Sequence, residues 1–335
     1  MAKTRGLLNE MKNLSGMPVI AIVGANGFVG KNLVQALMAR NDVSVRTLAR
    51  SPLEAGNQHP NITAIQGDLT KPETLKNFLV PGCVVVNLAY GFNMTSSENL
   101  LAAKNLADIC KDGKIKRLVH CSTASVFGRS QGDVANEQST CSPHTEYGLT
   151  KLKIEEVLHE ASSGHFEFVN LRPTSVFGPD GQALIKLISN LTQGSMILNY
   201  LRSCLFNTRK LNLVSVETVT AAIIFMAETE QKVDGETFIV SEDNEPINNF
   251  QHVERYLLDK LAGRYYTIHP LSLPLSILSL ILRVRGRDAY NPRRIYDSSK
   301  LLKTGFRPAK SLEQSLGEFV EWYKTQSATE QCEGV

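Results

Sequence analysis

Along its first half the chain alternates short, unbroken apolar runs with stripes of apolar residues at helical spacing. Val19 to Val23, Val43 to Leu48, Ile62 to Ile65, Cys83 to Leu88, Arg117 to His120 and Phe166 to Leu171 are the runs. Each is long enough for one strand buried on both faces of a parallel sheet. Between the first two, Val29, Leu33, Val34, Leu37 and Met38 mark one face of a helix ending near Arg40. Further helices are predicted from about Ser97 to Cys110 and from Tyr147 to about Ala161. Strand and helix in strict alternation predict an α/β fold, a doubly wound parallel sheet with helices on both faces.

From about Ser175 the alternation gives way to scattered pieces. Val219 to Ala227 reads as a helix, Thr237 to Val240 as a short strand and Phe250 to Leu261 as a helix. Leu312, Leu316, Phe319, Val320 and Tyr323 stripe a closing amphipathic helix. His269 to Leu282 is almost wholly apolar and is followed by Arg283, Arg285 and Arg287. A bilayer span takes roughly 20 apolar residues, and this run is shorter and contains Pro274. A buried helix of a smaller domain is expected there, with an interfacial helix as the alternative.

Composition narrows the class. Of 335 residues, 42% are hydrophobic and 21% charged, ordinary for a soluble globular chain, and the length suits one large domain plus an appendage or two domains. A net charge of +3 without a Lys/Arg cluster argues against nucleic acid. The six cysteines form no C-x-x-C pair and no metal-like spacing, so free thiols in a reducing cytosol and no metal site are expected. Met1 to Met17 is polar and mixed, unlike a signal peptide, and a cytoplasmic location is expected. The N-x-S/T triplets at Asn13, Asn61, Asn93 and Asn190 then read as chance.

Chemistry enters at the first strand's end. Gly24-Ala25-Asn26-Gly27-Phe28-Val29-Gly30 lies between strand and helix, the context in which glycines cradle a pyrophosphate at a helix N-terminus. Gly24 makes the turn, Gly27 admits the phosphate to the backbone, and Gly30 lets the helix pack on the strand. The second strand ends in Ala49-Arg50, with Arg46 upstream and no carboxylate for ribose hydroxyls. Arg50 suits a 2′-phosphate, so NADP is expected ahead of NAD, unless Arg50 is only a solvated loop residue. Asp68, in Gly67-Asp68-Leu69 after the third strand, is placed to accept from an adenine amine.

Tyr147 and Lys151 lie four residues apart on one predicted helix, so they share a face. A phenol titrates near ~10, and an ammonium beside it lowers that value, giving a group that trades protons with a hydroxyl or ketone. By itself the spacing also fits a solvated helix face. The fifth strand leads into Ser122-Thr123-Ala124-Ser125-Val126-Phe127-Gly128, which puts hydroxyls at the carboxyl end of a central strand, beside the crevice of such sheets.

In this order the motifs resemble the extended short-chain dehydrogenases/reductases, the NAD-dependent epimerase/dehydratase group. The likeness rests on G-x-x-G-x-x-G at Gly24, G-D-L at Gly67, N-L-x-x-x-x-N-L at Asn99, S-T-A-S-V-F-G at Ser122 and Y-x-x-x-K at Tyr147. It continues with L-R-P-x-x-V-F-G-P at Leu171, Leu213 to Val219, Gly235 to Phe238, Tyr296 to Lys300 and Gly305 to Pro308. Near-complete coverage implies a Rossmann domain over 18–174 and a mainly substrate-binding domain over 175–325, with segments such as 211–240 returning to the first. Residues 1–17 are then an extension and 326–335 a tail.

The resemblance implies that Tyr147 is the acid/base, that Lys151 lowers its pKa and holds the nicotinamide ribose, and that Thr123 hydrogen-bonds the reacting oxygen. Ser122 and Ser125 remain alternatives to Thr123. Gly24, Asn26, Gly27, Phe28, Val29, Gly30, Arg50, Asp68, Leu69, Leu88, Ala89, Tyr90 and the Pro173 backbone would line the cofactor. Ser125, Asn99 and Arg293 would face a nucleotide-sugar substrate, with Lys186, Arg209 and Arg285 as further cations for its diphosphate or else plain surface charges. Asn99 is structural in many members. The dehydratase branch carries an Asp-Glu pair after the Thr; Ala124 and Ser125 stand here, so 4,6-dehydration is not expected. Leu198 to Lys210 departs from the family pattern, and Ser215 replaces a common histidine. An oxidoreductase or epimerase acting on a nucleotide sugar is the leading expectation. A reductase of a non-sugar ketone and a catalytically silent dinucleotide sensor are the alternatives, and a homodimer is left open.

Overall fold

In the computed structural model the described residues are 17–50, 59–261, 266–284 and 291–333. The apolar runs become β1 (Val19–Val23), β2 (Ser44–Ala49), β3 (Ile62–Gln66), β4 (Val84–Asn87) and β5 (Arg117–Cys121). They continue as β6 (Val134–Ala135), β7 (Glu167–Pro173), β8 (Ser175–Phe177), β9 (Leu213–Ser215), β10 (Glu236–Val240) and β11 (Ile295–Tyr296). Seven of these form one sheet in the order β10-β7-β5-β4-β1-β2-β3. Pairing is parallel from β3 through β7, with Ile22 opposite Thr47 on one side and Val86 on the other. β1 is flanked by β2 and β4, so the winding reverses there. That reversal opens a crevice at the carboxyl ends of β1 and β4.

The stripes become α1 (Phe28–Met38), α2 (Ser96–Asp112) and α3 (Glu146–Ser162). Thr95 starts α2 with a capping box: its hydroxyl accepts from Glu98 N, and Glu98 Oε2 accepts from Thr95 N at 2.7 Å. Beyond them lie α4 (Ile185–Gln193), α5 (Met196–Phe206), α6 (Val216–Glu228), α7 (Phe250–Lys260), α8 (Leu275–Val284), α9 (Ser299–Lys303) and α10 (Leu312–Glu333).

The chain divides into two compact units. The first comprises residues up to Ser122, Leu149–Leu171 and Ile223–Thr237. Its core packs Ala21, Val23, Val85, Leu106, Leu118, Leu158 and Phe168, all buried. Arg117, 1% exposed, is the largest side chain inside it. Its guanidinium pairs with Glu167 at 2.5 Å and donates to the carbonyls of Met226 and Thr229, each at 2.8 Å, so every nitrogen of the buried guanidinium has a partner. The second unit comprises Thr123–Gly148, Arg172–Ala222 and Phe238 onward. Phe177, Ile188, Leu213, Val253, Leu257, Leu316 and Phe319 make its core.

One expectation fails. The apolar stretch after His269 does form a helix, α8, but only Leu278 is buried, while Leu280 is 60% and Val284 80% exposed. Hydropathy alone does not say which partner a helix finds. Residues 1–16, which hold most of the extension, and Arg285 lie outside the described residues.

Candidate active site

The turn after β1 is built by sterics. Gly24 has φ +84°, and a Cβ there would sit 2.8 Å from the Leu88 carbonyl carbon on β4's exit loop. Gly27 N donates to Gly24 O at 3.1 Å, closing the turn onto α1. A Cβ on Gly30 would land on Gly24 O, 2.8 Å from Ala25 C, so only glycine lets α1 start this close to the strand. Gly27 caps α1 without a side-chain hydrogen bond, and the first turn holds no acidic residue. The N–H groups and dipole at this end are therefore left for an anion from outside.

In front of the turn lies a cavity of about 390 Å³ within the first unit. Gly24, Asn26 and Gly27 line it from the turn, Arg50 from the end of β2, Asp68 and Leu69 from β3, Leu88, Ala89 and Tyr90 from β4, and Asn99 from α2. Phe28, Val29 and Gly30 form the first turn of α1 and do not line it. Asp68 accepts from Thr70 N at 2.9 Å and Thr70 Oγ1 at 2.8 Å; these bonds hold its carboxyl below the usual range, helped by Arg50. Arg46, by contrast, points away: its guanidinium donates to the Asn77 and Phe78 carbonyls. Asn99 spends its amide on the loop before α2, with Oδ1 accepting from Gly91 N at 2.9 Å and Nδ2 donating to Gly91 O at 3.0 Å. The structure thus gives Asn99 a bracing position on the cavity wall. A helix N-terminus without a competing carboxylate, opening on a cavity flanked by Asp68 and Arg50, fits a dinucleotide.

Lys151 is 3% exposed, and its Nζ donates to Cys121 O at 3.0 Å. The ammonium also lies 5.4 Å from the centroid of the Tyr90 ring. Burial lowers its pKa below the ordinary 10.5, against the opposing pull of Cys121 and Glu155. Behind it, burial and then the Lys151 charge keep His120 neutral well below its usual value, and Asn87 Nδ2 lies 3.2 Å from His120 Nδ1. Asn87 Oδ1 accepts from Ala89 N at 3.1 Å and so shapes the cavity lip, a role the sequence did not single out. Tyr147 stands one turn before Lys151 on α3, half-buried.

Within the second unit, Gly148 brings the start of α3 onto the loop after β5: a Cβ there would lie 2.9 Å from Ser125 O. Tyr147 immediately precedes this contact in the chain. Thr123 Oγ1 accepts from Ser125 N at 3.1 Å and lies 3.2 Å from Ser125 Oγ. Both residues line a second cavity of about 430 Å³ with His144, Pro173, Thr174, Arg209, Asn212, Arg294 and Tyr296. Arg293 and Lys186 are exposed and do not line it. Arg294, the neighbour, does: it is 5% exposed and donates to Ser130 Oγ at 2.6 Å and Ser130 O at 2.5 Å. Its Nε and the hydroxyl of Thr174 are buried without a hydrogen-bond partner among the described residues.

A glycine turn at the sheet's winding reversal, followed by a Tyr-x-x-x-Lys helix with a sequestered ammonium, defines the short-chain dehydrogenase/reductase class of dinucleotide-dependent oxidoreductases and epimerases. Residues 20–241 match the model of the NAD dependent epimerase/dehydratase family, and the chain belongs to that family. It is 27% identical to the decarboxylating sterol-4-alpha-carboxylate 3-dehydrogenase of Saccharomyces cerevisiae, over 92% of this chain and 99% of that protein. It is also 27% identical to the UDP-glucose 4-epimerase of Vibrio cholerae, over 68% of this chain and 71% of that one. Among solved structures, the UDP-glucuronic acid 4-epimerase of Bacillus cereus, in complex with UDP-glucuronic acid and NAD, shares the fold. Its TM-score is 0.69 at 21% identity, covering 92% of this chain and all of that one (100%). Among the described residues no helix is long and apolar enough to cross a membrane.

Proposed function

We propose that the protein oxidises a secondary alcohol, or reduces the matching ketone, with Tyr147 as proton carrier. The observation that carries this reading is Lys151: a buried ammonium held by Cys121 O, one helical turn after Tyr147 on α3. The nicotinamide cofactor, when bound, supplies or accepts the hydride. Tyr147 Oη delivers the proton to the carbonyl oxygen, or takes it from the hydroxyl in the reverse direction. Lys151 favours the phenolate electrostatically and so brings the phenol into working range. Thr123 donates to the reacting oxygen and steadies its developing charge. Gly24, Asn26 and Gly27 receive the pyrophosphate and Asp68 the adenosine end. Arg50 supports NADP(H) ahead of NAD(H), because a guanidinium at the end of β2 matches a 2′-phosphate.

The substrate in this proposal is a nucleotide-activated sugar, recognised by the Thr123 cavity, whose lining cations Arg209 and Arg294 suit a diphosphate. A second reading, a carboxylated sterol-like alcohol, is favoured by the near end-to-end match to the yeast sterol dehydrogenase. The same cations would serve its carboxylate. With Ala124 and Ser125 after Thr123, the chain lacks the carboxyl pair for removing water, and we propose no 4,6-dehydratase activity.

The test is turnover, read as nicotinamide absorbance with product analysis, on panels of nucleotide sugars and of 3-hydroxy and 3-keto sterol acids. Tyr147→Phe should lower the rate on the accepted substrate by about 10²–10⁴ while keeping cofactor affinity. Wild-type turnover by Tyr147→Phe would sink the mechanism. A 4-keto-6-deoxy sugar among the products would sink the exclusion of dehydration.

A further inference from the structure

Among the described residues, ten of the fourteen exposed large hydrophobic side chains fall in two stretches of the second unit, Met196 to Leu201 and Ile268 to Val284. These stretches are joined. α5 and α8 pack on one another, and Leu273 N donates to Cys204 O at 3.2 Å. α8 buries Leu278 at 1% exposure and turns Ile277, Leu280 and Val284 outward, while α5 turns out Ile197 (73%) and Leu201 (55%). Soluble monomers seldom leave that many aliphatic side chains together in water, and such patches mark a surface that something apolar covers.

The charges identify the cover. From Ser195 to Thr208 and from Tyr266 to Val284 the chain has no Asp or Glu; its ionisable side chains there, apart from Tyr and Cys, are Arg202, His269 and Arg283. The sequence then adds Arg285 and Arg287 before its next carboxylate, Asp288. In a two-fold dimer these two stretches would bring arginines together and supply no carboxylate of their own to answer them. The headgroup layer of an anionic bilayer answers both halves at once. Aliphatic side chains enter the acyl boundary while arginine guanidiniums meet phosphates above it. Ten residues of helix span only about 15 Å, half of a hydrocarbon core of about 30 Å, so this is a surface contact.

We propose that the α5–α8 face docks the protein peripherally on membranes rich in anionic phospholipid. The proposal stands whichever substrate reading holds. The experiment is flotation of the full chain with vesicles of phosphatidylcholine alone or mixed with phosphatidylglycerol. Wild type should float with the mixed vesicles, and raised salt or neutral vesicles should weaken binding by about tenfold or more. Leu280→Ser with Val284→Ser should release it by about tenfold or more, and Arg283→Glu should lower binding to mixed vesicles only. Melting temperature and cofactor affinity should be unchanged in all variants, since these side chains are exposed and line neither cavity. Failure of wild type to float with mixed vesicles overturns the proposal. So does binding that the serine variant leaves intact, or a dimer in solution that the serine variant converts to monomer without any vesicle binding.

Discussion

Replacing Lys151 by Met tests the electrostatic core of the site in two independent readouts. The side chain is 3% exposed, so Met keeps the packing while removing the ammonium and its hydrogen bond to Cys121 O. At neutral pH two effects oppose. An orphaned buried carbonyl costs about 1–3 kcal/mol, and relief from holding a desolvated charge returns a comparable amount. Stability near pH 7 should therefore change little. Above neutrality the two proteins should diverge. Burial lowers the folded pKa of Lys151 below 10.5, so across the window up to that value the unfolded chain holds the proton that the folded chain has released. Stability contributed by Lys151 then rises with pH, by at most about 1.4 kcal/mol per pH unit. Urea denaturation of both proteins through the alkaline range, plotted as their difference, isolates this slope from the buried cysteines, which titrate in both. Wild type should gain on the variant as pH increases. Turnover should meanwhile fall by about 10² or more, with weaker cofactor binding. A stability difference flat with pH would refute the buried-ammonium argument, even if activity were lost.

Three further outcomes are expected. Gly30→Ala should abolish cofactor binding, read by quenching of intrinsic fluorescence, because its Cβ lands on Gly24 O and forces the turn apart. Arg50→Ala should weaken NADPH by roughly tenfold or more, from a charge-assisted pair of about 1.5–3 kcal/mol, and leave NADH nearly unchanged; equal loss of both in titrations would remove the 2′-phosphate assignment. Arg117→Met should destabilise the fold by about 3 kcal/mol in chemical denaturation, at the low end for a broken buried pair because Glu167 is 37% exposed.

What was legible in the sequence is what is locally encoded. The strand–turn–α1 unit announces itself because Gly24 is demanded by its own positive φ and Gly30 by contacts within a few residues, and the hydrophobic period switches at the turn. Gly24, Arg50, Asp68 and Leu88 were readable as a group because parallel strands deliver all their carboxyl ends to one side. What escaped depends on distant partners. Arg294 rather than Arg293 enters the Thr123 cavity because β11 pairs with β6, Ile295 opposite Val134, and no local pattern sets that register. The pairing of β8 with β9, Val176 opposite Val214, is equally non-local. α5 went unread because the apolar residues of Met196–Phe206 face both the core and solvent, which blurs any amphipathic stripe. α8 misled for the same reason in reverse: its hydropathy speaks of apolar company without saying whether protein supplies it.

The anchoring of Arg117 bears on how such a chain can be cut and recombined. The guanidinium sits on β5, yet two of its acceptors, Met226 O and Thr229 O, arrive from a segment encoded far downstream. The same late segment sends Asp234 to the Phe168 amide and Gly235 to the Phe168 carbonyl. A gene fragment ending after β7 would encode every residue of the glycine turn and still strand a cation inside the core. Domain-swapped chimaeras and minimal cofactor-binding fragments made from this chain therefore have to carry residues 223–237 along, as a separate piece or by circular permutation. The cofactor half of the molecule is contiguous in space but not in its coding sequence.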